Sequence, residues 1–568
     1  MDTSEPHQPA ARATPSPLRA LLGPLLILFV ILAGYSFPTR LPLVGEETCR
    51  AQHGIEMSAT GDWLSATQQG VEILDRPPAQ YWMFAIIQEW IAPLTPMTVR
   101  TVALGIVLAT ALTLYWYTRK YFGEVAGLIA GVGYPTMGHI FDLGRRIETD
   151  SLFVLLLVAS LLTWHAGYMR DGKGRRFWSA WAIPMLLGAL AALAKGTQAP
   201  VAFFGAIYLY LVLRERNWAI LFNWRHFAGL AIYFGAIAIW QVPFYLAEGW
   251  VGTKSTWLEP GSSRLGFETV EFIKHLFELP AAVFIATLPW SPLLIPLLDP
   301  RFRRKLEPIQ RRALDFLLLS MLVIFLPVWL AQGGHHRYVM PMYALMSAVA
   351  GIAVHRCLLD DFSTSLRRFW RDYLRCMGAA MLGLSLAYIA ITIWAAITAP
   401  PVWVEMLQLP LPGAAAVAAV GLIGSAIVLR RARAEAPREV MAAVFCFAAF
   451  IAAWFNGPIL AATIYKAEAI GPQVVAVRDS LPAGAQLISF EPLHHKFVYW
   501  YAEPIPILPW PASSADVPAD LEYFAFTQLR GHERELPFAW QQLASLNMDR
   551  TVQQDPENRV IVGRRLPE

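Results

Sequence analysis

The sequence predicts an α-helical polytopic membrane protein with about thirteen transmembrane helices and a small C-terminal α/β domain. Three observations support this fold class. First, 56% of the 568 residues are hydrophobic and only 15% are charged, which is too apolar for a soluble chain of this length. Second, apolar segments of about 20 residues, the length that crosses a bilayer, recur along most of the chain. Third, the last hundred residues or so contain no such segment.

The predicted spans are separated mostly by short loops. They are residues 19–36, 98–118, 121–140, 150–168, 178–193, 198–213, 227–246, 280–298, 312–331, 338–355, 377–397, 411–429 and 439–462. With the N-terminus in the cytoplasm, the inner loops carry most of the Lys and Arg residues, and residues 301–305 form the clearest basic block. This charge asymmetry predicts that the C-terminal domain lies on the periplasmic side.

The chain is expected to have three regions. Residues 1–18 are predicted to form a disordered cytoplasmic tail, residues 19–465 a membrane domain, and residues 466–568 a periplasmic α/β domain. The first apolar stretch has no convincing cleavage site, so we expect it to be retained as an anchor. The four cysteines do not form a persuasive framework, and we predict no structural disulfide.

Finer elements are predicted in the first periplasmic loop, residues 37–97, and in the C-terminal domain. The loop is expected to hold helices at 47–58 and 78–93, the first ending at Gly61. In the C-terminal domain we expect strands at 486–490, 496–501, 522–526 and 559–563, with helices near 469–480 and 537–546.

Ionisable residues collect beside the predicted spans on the periplasmic side. An ionised group near hydrocarbon is costly unless it faces water, a partner or a ligand, so this cluster indicates a site. We expect one cleft to collect these residues. They are Glu46, Glu47, Asp75, Arg76, Arg145, Arg146, Glu148, Asp150, Lys195, His335, His336 and Arg337.

These residue types suit chemistry on an anionic lipid. Carboxylates can accept a proton and cations can hold a phosphate, although an anion transporter would use the same groups. Simpler interpretations exist for several members. Arg145 and Arg146 suit a helix end anchored at lipid phosphates, and Glu47 suits a local cap or ion pair. Lys195 favours a functional role, because its short turn has little other need for a cation.

The order of these motifs resembles a known superfamily. The motifs are Glu46-Glu47-Thr48, Glu56-Met57, Gly61-Asp62-Trp63, Asp75-Arg76-Pro77-Pro78-Ala79-Gln80-Tyr81-Trp82, Arg145-Arg146-Ile147-Glu148-Thr149-Asp150, Leu193-Ala194-Lys195-Gly196 and Arg337-Tyr338-Val339-Met340-Pro341. They resemble those of the C-type (GT-C) glycosyltransferases. The nearest group is the protein O-mannosyltransferase superfamily, which includes the bacterial 4-amino-arabinose lipid A transferases.

This resemblance implies an inverting transferase that moves a sugar from a polyprenyl-phosphate donor to an acceptor at the periplasmic face of the inner membrane. Lipid A, a glycan, a protein and another lipid all stay open as acceptors. The resemblance assigns catalysis to Glu46 and Asp150. It assigns the donor phosphate to Arg76 and Lys195, with Arg145, Arg146 and Arg337 as further cations. The other cavity candidates are Glu47, Asp75, Tyr81, His336 and Tyr338.

The sequence departs from the superfamily pattern in the first loop. The acidic pair is usually Asp-Glu but here is Glu46-Glu47, and Cys49 replaces a frequent arginine. Some lipid A transferases bind a metal near the residue that matches Asp75, completed by a later outer-loop histidine. Residues 247–274 contain no histidine, so we expect no metal or other cofactor. The expected partners are the lipid-linked donor, its acceptor and membrane lipids, without nucleic acid.

Two other functions are considered. A transporter or flippase of lipid-linked glycans should show inverted repeats and broken helices near the bilayer midplane, whereas these charges lie at the outer boundary. An inactive scaffold of envelope-glycan assembly would fit the Glu46-Glu47 departure. Within the C-terminal domain, the residues expected to help select an acceptor are His494, His495, Tyr499 and Trp500.

Overall fold

The computed structural model describes most of the chain. The described residues are 17–35, 43, 46–147, 149–170, 175–259, 269–359, 364–432, 437–466, 470–529, 531–532, 534–548 and 558–567. Within these ranges the chain forms a helical membrane domain up to residue 466 and a smaller domain from residue 470. The predicted 1–18 tail falls almost entirely outside the described residues.

Apolar helices build the membrane domain, as predicted. They are Pro17–Gly34, Pro96–Phe122, Glu124–Gly133, Gly138–Leu143, Thr149–Tyr168, Ile183–Lys195, Gln198–Leu209, Trp224–Trp257, Thr269–Ala286, Pro300–Arg304, Pro308–Trp329, Met340–Leu359, Thr364–Ile397, Val402–Glu405, Leu411–Arg431, Pro437–Trp454 and Leu460–Lys466. Across the described part of the chain, nine helical segments are long and apolar enough to cross a membrane. A tenth results if residues 269–286 and 291–298, bent by 111°, count as one.

Each of the thirteen predicted spans coincides with helix, but some are broken or short. Predicted span 121–140 is divided between helix Glu124–Gly133, a 3-10 turn at Tyr134–Thr136 and the short helix that follows. Gly123 separates this span from the preceding helix with φ 90°, a conformation that favours glycine. Predicted span 198–213 is helix Gln198–Leu209 continued by a π turn. Length and hydropathy therefore predict where helix forms better than where it breaks.

The first loop contains two helices and a hairpin between them. Helix Glu47–Thr60 ends at Gly61, where φ is 71°, and helix Ala79–Trp90 follows the hairpin, so both predicted helices are confirmed. Strands β1 (Ala66–Gln68) and β2 (Val71–Ile73) form the antiparallel hairpin. The loop is thus a folded cap on one end of the helix bundle.

A buried ion pair fastens this cap to the bundle. Glu47 is 0% exposed and Arg100, in the helix Pro96–Phe122, is 2% exposed. Arg100 donates to both carboxylate oxygens of Glu47, at 2.5 and 2.8 Å. The backbone N–H of Ile147 donates to the same carboxylate at 3.1 Å. Glu47 is therefore ion-paired, but with a partner 53 residues away and not with the local one that its simpler interpretation predicted.

The C-terminal domain is a five-stranded mixed sheet with two helices. The strand order is β4-β3-β5-β7-β6, with β3 parallel to both of its neighbours and the other pairs antiparallel. The strands are β3 (Leu487–Phe490), β4 (Ile507–Leu508), β5 (Tyr523–Leu529), β6 (Trp540–Asn547) and β7 (Asn558–Arg565), and the helices are Ile470–Ser480 and His495–Tyr501. The sheet and the first helix agree with the predicted α/β domain.

Two predicted elements of this domain are wrong. Residues 496–501, predicted as a strand, form a helix whose Phe497, Val498 and Tyr501 are buried at helical spacing. Residues 537–546, predicted as helix, contain β6, which pairs with β7 from Trp540 onward. In the second segment pairing with β7 decides the backbone conformation, which local patterns do not report.

The Glu47–Arg100 pair gives a stability prediction. Glu47→Gln keeps the shape of the side chain but leaves the Arg100 charge buried without its carboxylate, so it should destabilise the fold by about 3–5 kcal/mol. Glu278→Gln is the control, since Glu278 and Lys274 form an exposed pair at 3.7 Å worth about 1 kcal/mol or less. Thermal unfolding of the purified variants in one detergent makes the comparison, and equal midpoints for both would contradict it.

Candidate functional site at the first loop

Arg50 organises the acidic side of the site. It lies on the first-loop helix and is 2% exposed. Its guanidinium pairs with Glu46, donates to Asp75 Oδ2 at 3.2 Å and donates to the Tyr81 hydroxyl at 2.6 Å. The Tyr81 hydroxyl in turn donates to Asp75 Oδ1 at 2.9 Å. Arg50 is not among the residues predicted from the sequence, although its i, i+4 spacing from Glu46 is a usable signal for an ion pair.

Arg76 joins the same carboxylates from the other side. Its Nε lies 3.4 Å from Asp75 Oδ2, and its Nη2 lies 3.6 Å from Glu46 Oε2. The Glu46 side chain is 55% exposed, so its carboxylate is held by Arg50 and Arg76 yet remains open to solvent. Glu46 can therefore reach a hydroxyl group of a bound molecule.

The electrostatics of this cluster keep Asp75 ionised. Burial alone would raise the pKa of Asp75, but the Arg50 and Arg76 charges and the Tyr81 hydrogen bond hold it below its usual range. Burial, with the Arg50 charge, lowers the pKa of His53 to about 4, so this imidazole is neutral at pH 7.

Cys49 has no nucleophilic character in this environment. Burial raises the pKa of its thiol to about 11, which keeps the sulfur protonated at neutral pH. Its Sγ lies 3.6 Å from His53 Nε2.

Asp150 lies at the centre of a second charged group. Its carboxylate is 2% exposed and forms ion pairs with Lys195 and with Arg337, whose Nε lies 3.5 Å from Asp150 Oδ2. Lys195 ends the helix Ile183–Lys195 just before Gly196, whose φ of 76° turns the chain. The Lys195 ammonium lies 5.2 Å from the ring centroid of Tyr338. Asp150 thus orients two cations.

One cavity joins the two charged groups. It has a volume of about 290 Å³. Its charged lining consists of Asp75, Arg76, Lys195 and Arg337. Much of the remaining lining is apolar, including Phe153, Leu157, Val201, Val323, Ile324, Pro327 and Val328. Cations beside an apolar wall suit an anionic head group with a hydrocarbon chain. The predicted convergence of Arg76, Lys195 and Arg337 on one cleft is therefore seen in the structure.

Three other predicted site residues, Arg145, Arg146 and His336, are not part of the described lining of this cavity. Arg145 is 5% exposed, and its Nη1 lies 3.4 Å from Asn456 Oδ1. Arg146 pairs with Asp142 at 2.7 Å. The ring of His336 packs against that of His139, with centroids 4.4 Å apart.

Glu47 and Tyr81 also lie outside the cavity lining, in the buried contacts described above. The two predicted catalytic residues, Glu46 and Asp150, are not part of the described lining either, but each pairs with a cation that is. Tyr338 lines the cavity, and its carbonyl accepts a hydrogen bond of 2.6 Å from Gln198. Glu148 lies outside the described residues. The position of charged residues near the ends of the spans therefore predicted the region of the site. It did not distinguish the residues that line the cavity from the residues that pack behind them.

Two of the four C-terminal residues predicted to help select an acceptor, His495 and Tyr499, contact the first loop. His495 Nδ1 lies 2.7 Å from Thr48 Oγ1, and the buried Tyr499 hydroxyl donates to the Leu94 carbonyl at 2.7 Å. Among the described residues, no group of three or more His, Cys, Asp and Glu side chains is placed to hold a metal ion.

Sequence comparisons agree with the motifs. Residues 75–240 match the family described as dolichyl-phosphate-mannose-protein mannosyltransferase. The chain is 25% identical over 343 residues to the undecaprenyl phosphate-alpha-4-amino-4-deoxy-L-arabinose arabinosyl transferase of Edwardsiella ictaluri, covering 58% of this chain and 59% of the relative. It is 27% identical over 356 residues to the same-named protein of Pseudomonas aeruginosa, covering 61% of each. The matches thus span about three fifths of these relatives.

Structural comparisons cover nearly the whole chain. The structure of ArnT from Cupriavidus metallidurans in the apo state superposes with a TM-score of 0.68 at 17% identity, covering 96% of this chain and 97% of ArnT. The structure of the same protein bound to undecaprenyl phosphate gives a TM-score of 0.67 at 15% identity, covering 96% and 98%.

Apolar helices and these relatives make the chain a multi-pass protein of the bacterial inner membrane. The predicted resemblance to the C-type glycosyltransferase superfamily of the protein O-mannosyltransferases and 4-amino-arabinose lipid A transferases is confirmed: residues 75–240 match a family of this group, the named relatives match over about three fifths of their length, and the chain shares its fold with ArnT.

Proposed function

We propose that this chain is an inverting membrane glycosyltransferase that moves one sugar from a polyprenyl monophosphate to an acceptor at the periplasmic face. The observation that carries the proposal is the cavity, where Arg76, Lys195 and Arg337 lie beside an apolar wall. A lipid-linked phosphate presents the matching pair of an anion and a hydrocarbon chain. The names of the bacterial relatives, which specify undecaprenyl phosphate, support this choice of donor.

The cations serve the leaving group. Cleavage of the bond between sugar and phosphate leaves additional negative charge on the phosphate oxygen, and fixed positive charges stabilise it. Arg76 and Lys195 occupy the cavity from two different segments, so they can contact different oxygens of one phosphate. Asp150 acts through these cations, since its buried carboxylate holds Lys195 and Arg337 in place.

Glu46 is the proposed base. Its carboxylate is exposed, ionised partners hold it beside Arg76, and Arg76 lines the cavity. A carboxylate in this position can accept the proton of an acceptor hydroxyl as the new glycosidic bond forms. Displacement of the phosphate by the acceptor in a single step inverts the sugar carbon. Where the acceptor is itself a phosphate, Glu46 serves mainly to orient it.

The periplasmic orientation is part of the proposal and is supported by the distribution of basic residues. Arg76 of the first loop, Lys195 and Arg337 line the same cavity. The basic block at residues 301–305 belongs to the predicted cytoplasmic side. A transporter is less favoured, because the charged groups of the cavity come from the loop 75–77 and from helix ends, not from the middle of the spans.

The base assignment predicts a separation of binding from transfer. Glu46→Gln should retain affinity for undecaprenyl phosphate but lose transfer by about 100-fold or more, because an amide cannot accept the proton. The control is Glu405→Gln, which changes an exposed carboxylate in the helix Val402–Glu405. Transfer of sugar in micelles and binding of undecaprenyl phosphate are both measured. Full transfer by Glu46→Gln would remove Glu46 from the mechanism.

The phosphate assignment predicts a loss of binding. Lys195→Met should weaken binding of undecaprenyl phosphate by about 10- to 100-fold, the usual range for a charge-assisted contact. The double variant Lys195→Met with Asp150→Asn removes both charges of the buried pair and guards against misfolding. The exposed Lys274→Met is the control. Wild-type affinity in folded single and double variants would exclude Lys195 from the phosphate site.

A further inference from the structure

The tip of the first-loop hairpin has an unusual backbone conformation. Gln69 and Gly70 connect β1 and β2, with φ values of 52° and 77°. Two-residue turns in which both φ values are positive favour Asn, Asp or Gly at the first position. Glycine has no Cβ to clash, and the short side chains of Asn and Asp can hydrogen-bond to the nearby backbone. A glutamine held in this conformation indicates that its side chain makes contacts elsewhere.

The Gln69 side chain binds the C-terminal domain with its whole amide. Its Nε2 donates to Ser489 Oγ and to the Ile505 carbonyl, each at 3.2 Å. Its Oε1 accepts from the backbone N–H of Leu493 at 2.7 Å. The neighbouring Gln68 donates to the Leu493 carbonyl at 2.7 Å. One side chain thus reaches β3, the loop that follows β3 and the segment that precedes β4.

The backbone of the same tip is held by the helix that carries Arg50. Glu56 accepts hydrogen bonds from the backbone N–H groups of Gln69 and Gly70, at 2.7 and 3.2 Å. It also accepts from Thr67 Oγ1 at 2.9 Å. The tip therefore links the C-terminal domain to the first-loop helix.

The second strand of the hairpin leads directly into the cavity. Strand β2 ends at Ile73, and the Leu74 carbonyl accepts a hydrogen bond from Thr256 Oγ1 at 3.1 Å. The next two residues, Asp75 and Arg76, line the cavity. Only residues 71–75 separate the tip from Arg76. A displacement of the tip would therefore also move Arg76.

We propose that Gln69 is a positioning residue, through which the C-terminal domain fixes the first loop so that Arg76 is held against the donor phosphate. This inference rests on the proposed function of the cavity. It assigns the C-terminal domain a part in donor binding, although the domain itself does not supply the described lining of the cavity.

The test is the variant Gln69→Gly in the full-length protein. Glycine accepts the positive φ without strain, so the turn is preserved while the amide contacts are removed. We expect the dissociation constant for undecaprenyl phosphate to rise about tenfold, with no fall in the midpoint of thermal unfolding. Gln542→Ala, on the exposed face of β6, is the control and should bind normally. Unchanged affinity of Gln69→Gly, or a loss explained by a lower midpoint, would overturn the inference.

Arg76→Ala separates this inference from the proposed function. Weaker binding by Arg76→Ala with normal binding by Gln69→Gly would overturn the positioning role alone. Normal binding by Arg76→Ala would overturn the phosphate site and the positioning role together. In the double variant, Gln69→Gly should add little to the loss caused by Arg76→Ala, because both act on the same contact. A full additional tenfold loss would show that Gln69 does not act through Arg76.

Discussion

The cost of holding charge at the end of an apolar helix bundle is the constraint on which this site depends. Each ionised group that leaves water needs an opposite charge or a hydrogen bond. Glu46 and Asp75 meet that need for the buried Arg50, and Lys195 and Arg337 meet it for the buried Asp150. Because these partners come from distant parts of the chain, satisfying the charges also fixes how the first loop and the helices pack.

The same constraint separates residues that support the site from those that can act in it. Glu47 and Arg100 pair with each other in a buried position, so they fasten the loop, and neither belongs to the described lining of the cavity. Glu46, its neighbour in sequence, is half exposed and remains accessible. A difference of one position on a helix therefore divides a structural carboxylate from the proposed base.

Hydrophobic length predicted the membrane helices well, because about 20 apolar residues are required whatever the tertiary packing. The charged region of the site was also predictable, since unpaired charge beside a span is rarely tolerated. Specific partners were not. Nothing local to Arg100 indicates that it pairs with Glu47, and nothing near Gln69 indicates a contact with Leu493. Such pairings depend on the fold. So does the conformation of residues 496–501, which were wrongly predicted as a strand.

The Gln69 contacts connect the C-terminal domain to the hairpin of the first loop, and through it to the membrane cavity. In the described structure this domain does not line the cavity, yet it contacts the hairpin that leads to Asp75 and Arg76. His495 and Tyr499, at first considered for acceptor choice, belong to the same interface. The C-terminal domain and the first loop are therefore joined by hydrogen bonds on the charged side of the cavity.

We propose above all that the bond between a sugar and a lipid phosphate is cleaved in this cavity. The most direct measurement incubates the purified full-length protein with a panel of polyprenyl-phosphate sugars and candidate acceptors, and follows release of the polyprenyl phosphate. The account predicts that at least one donor is consumed and its sugar appears on an acceptor in equal amount. Movement of intact donors across vesicle membranes without cleavage, or binding without either process, would contradict it.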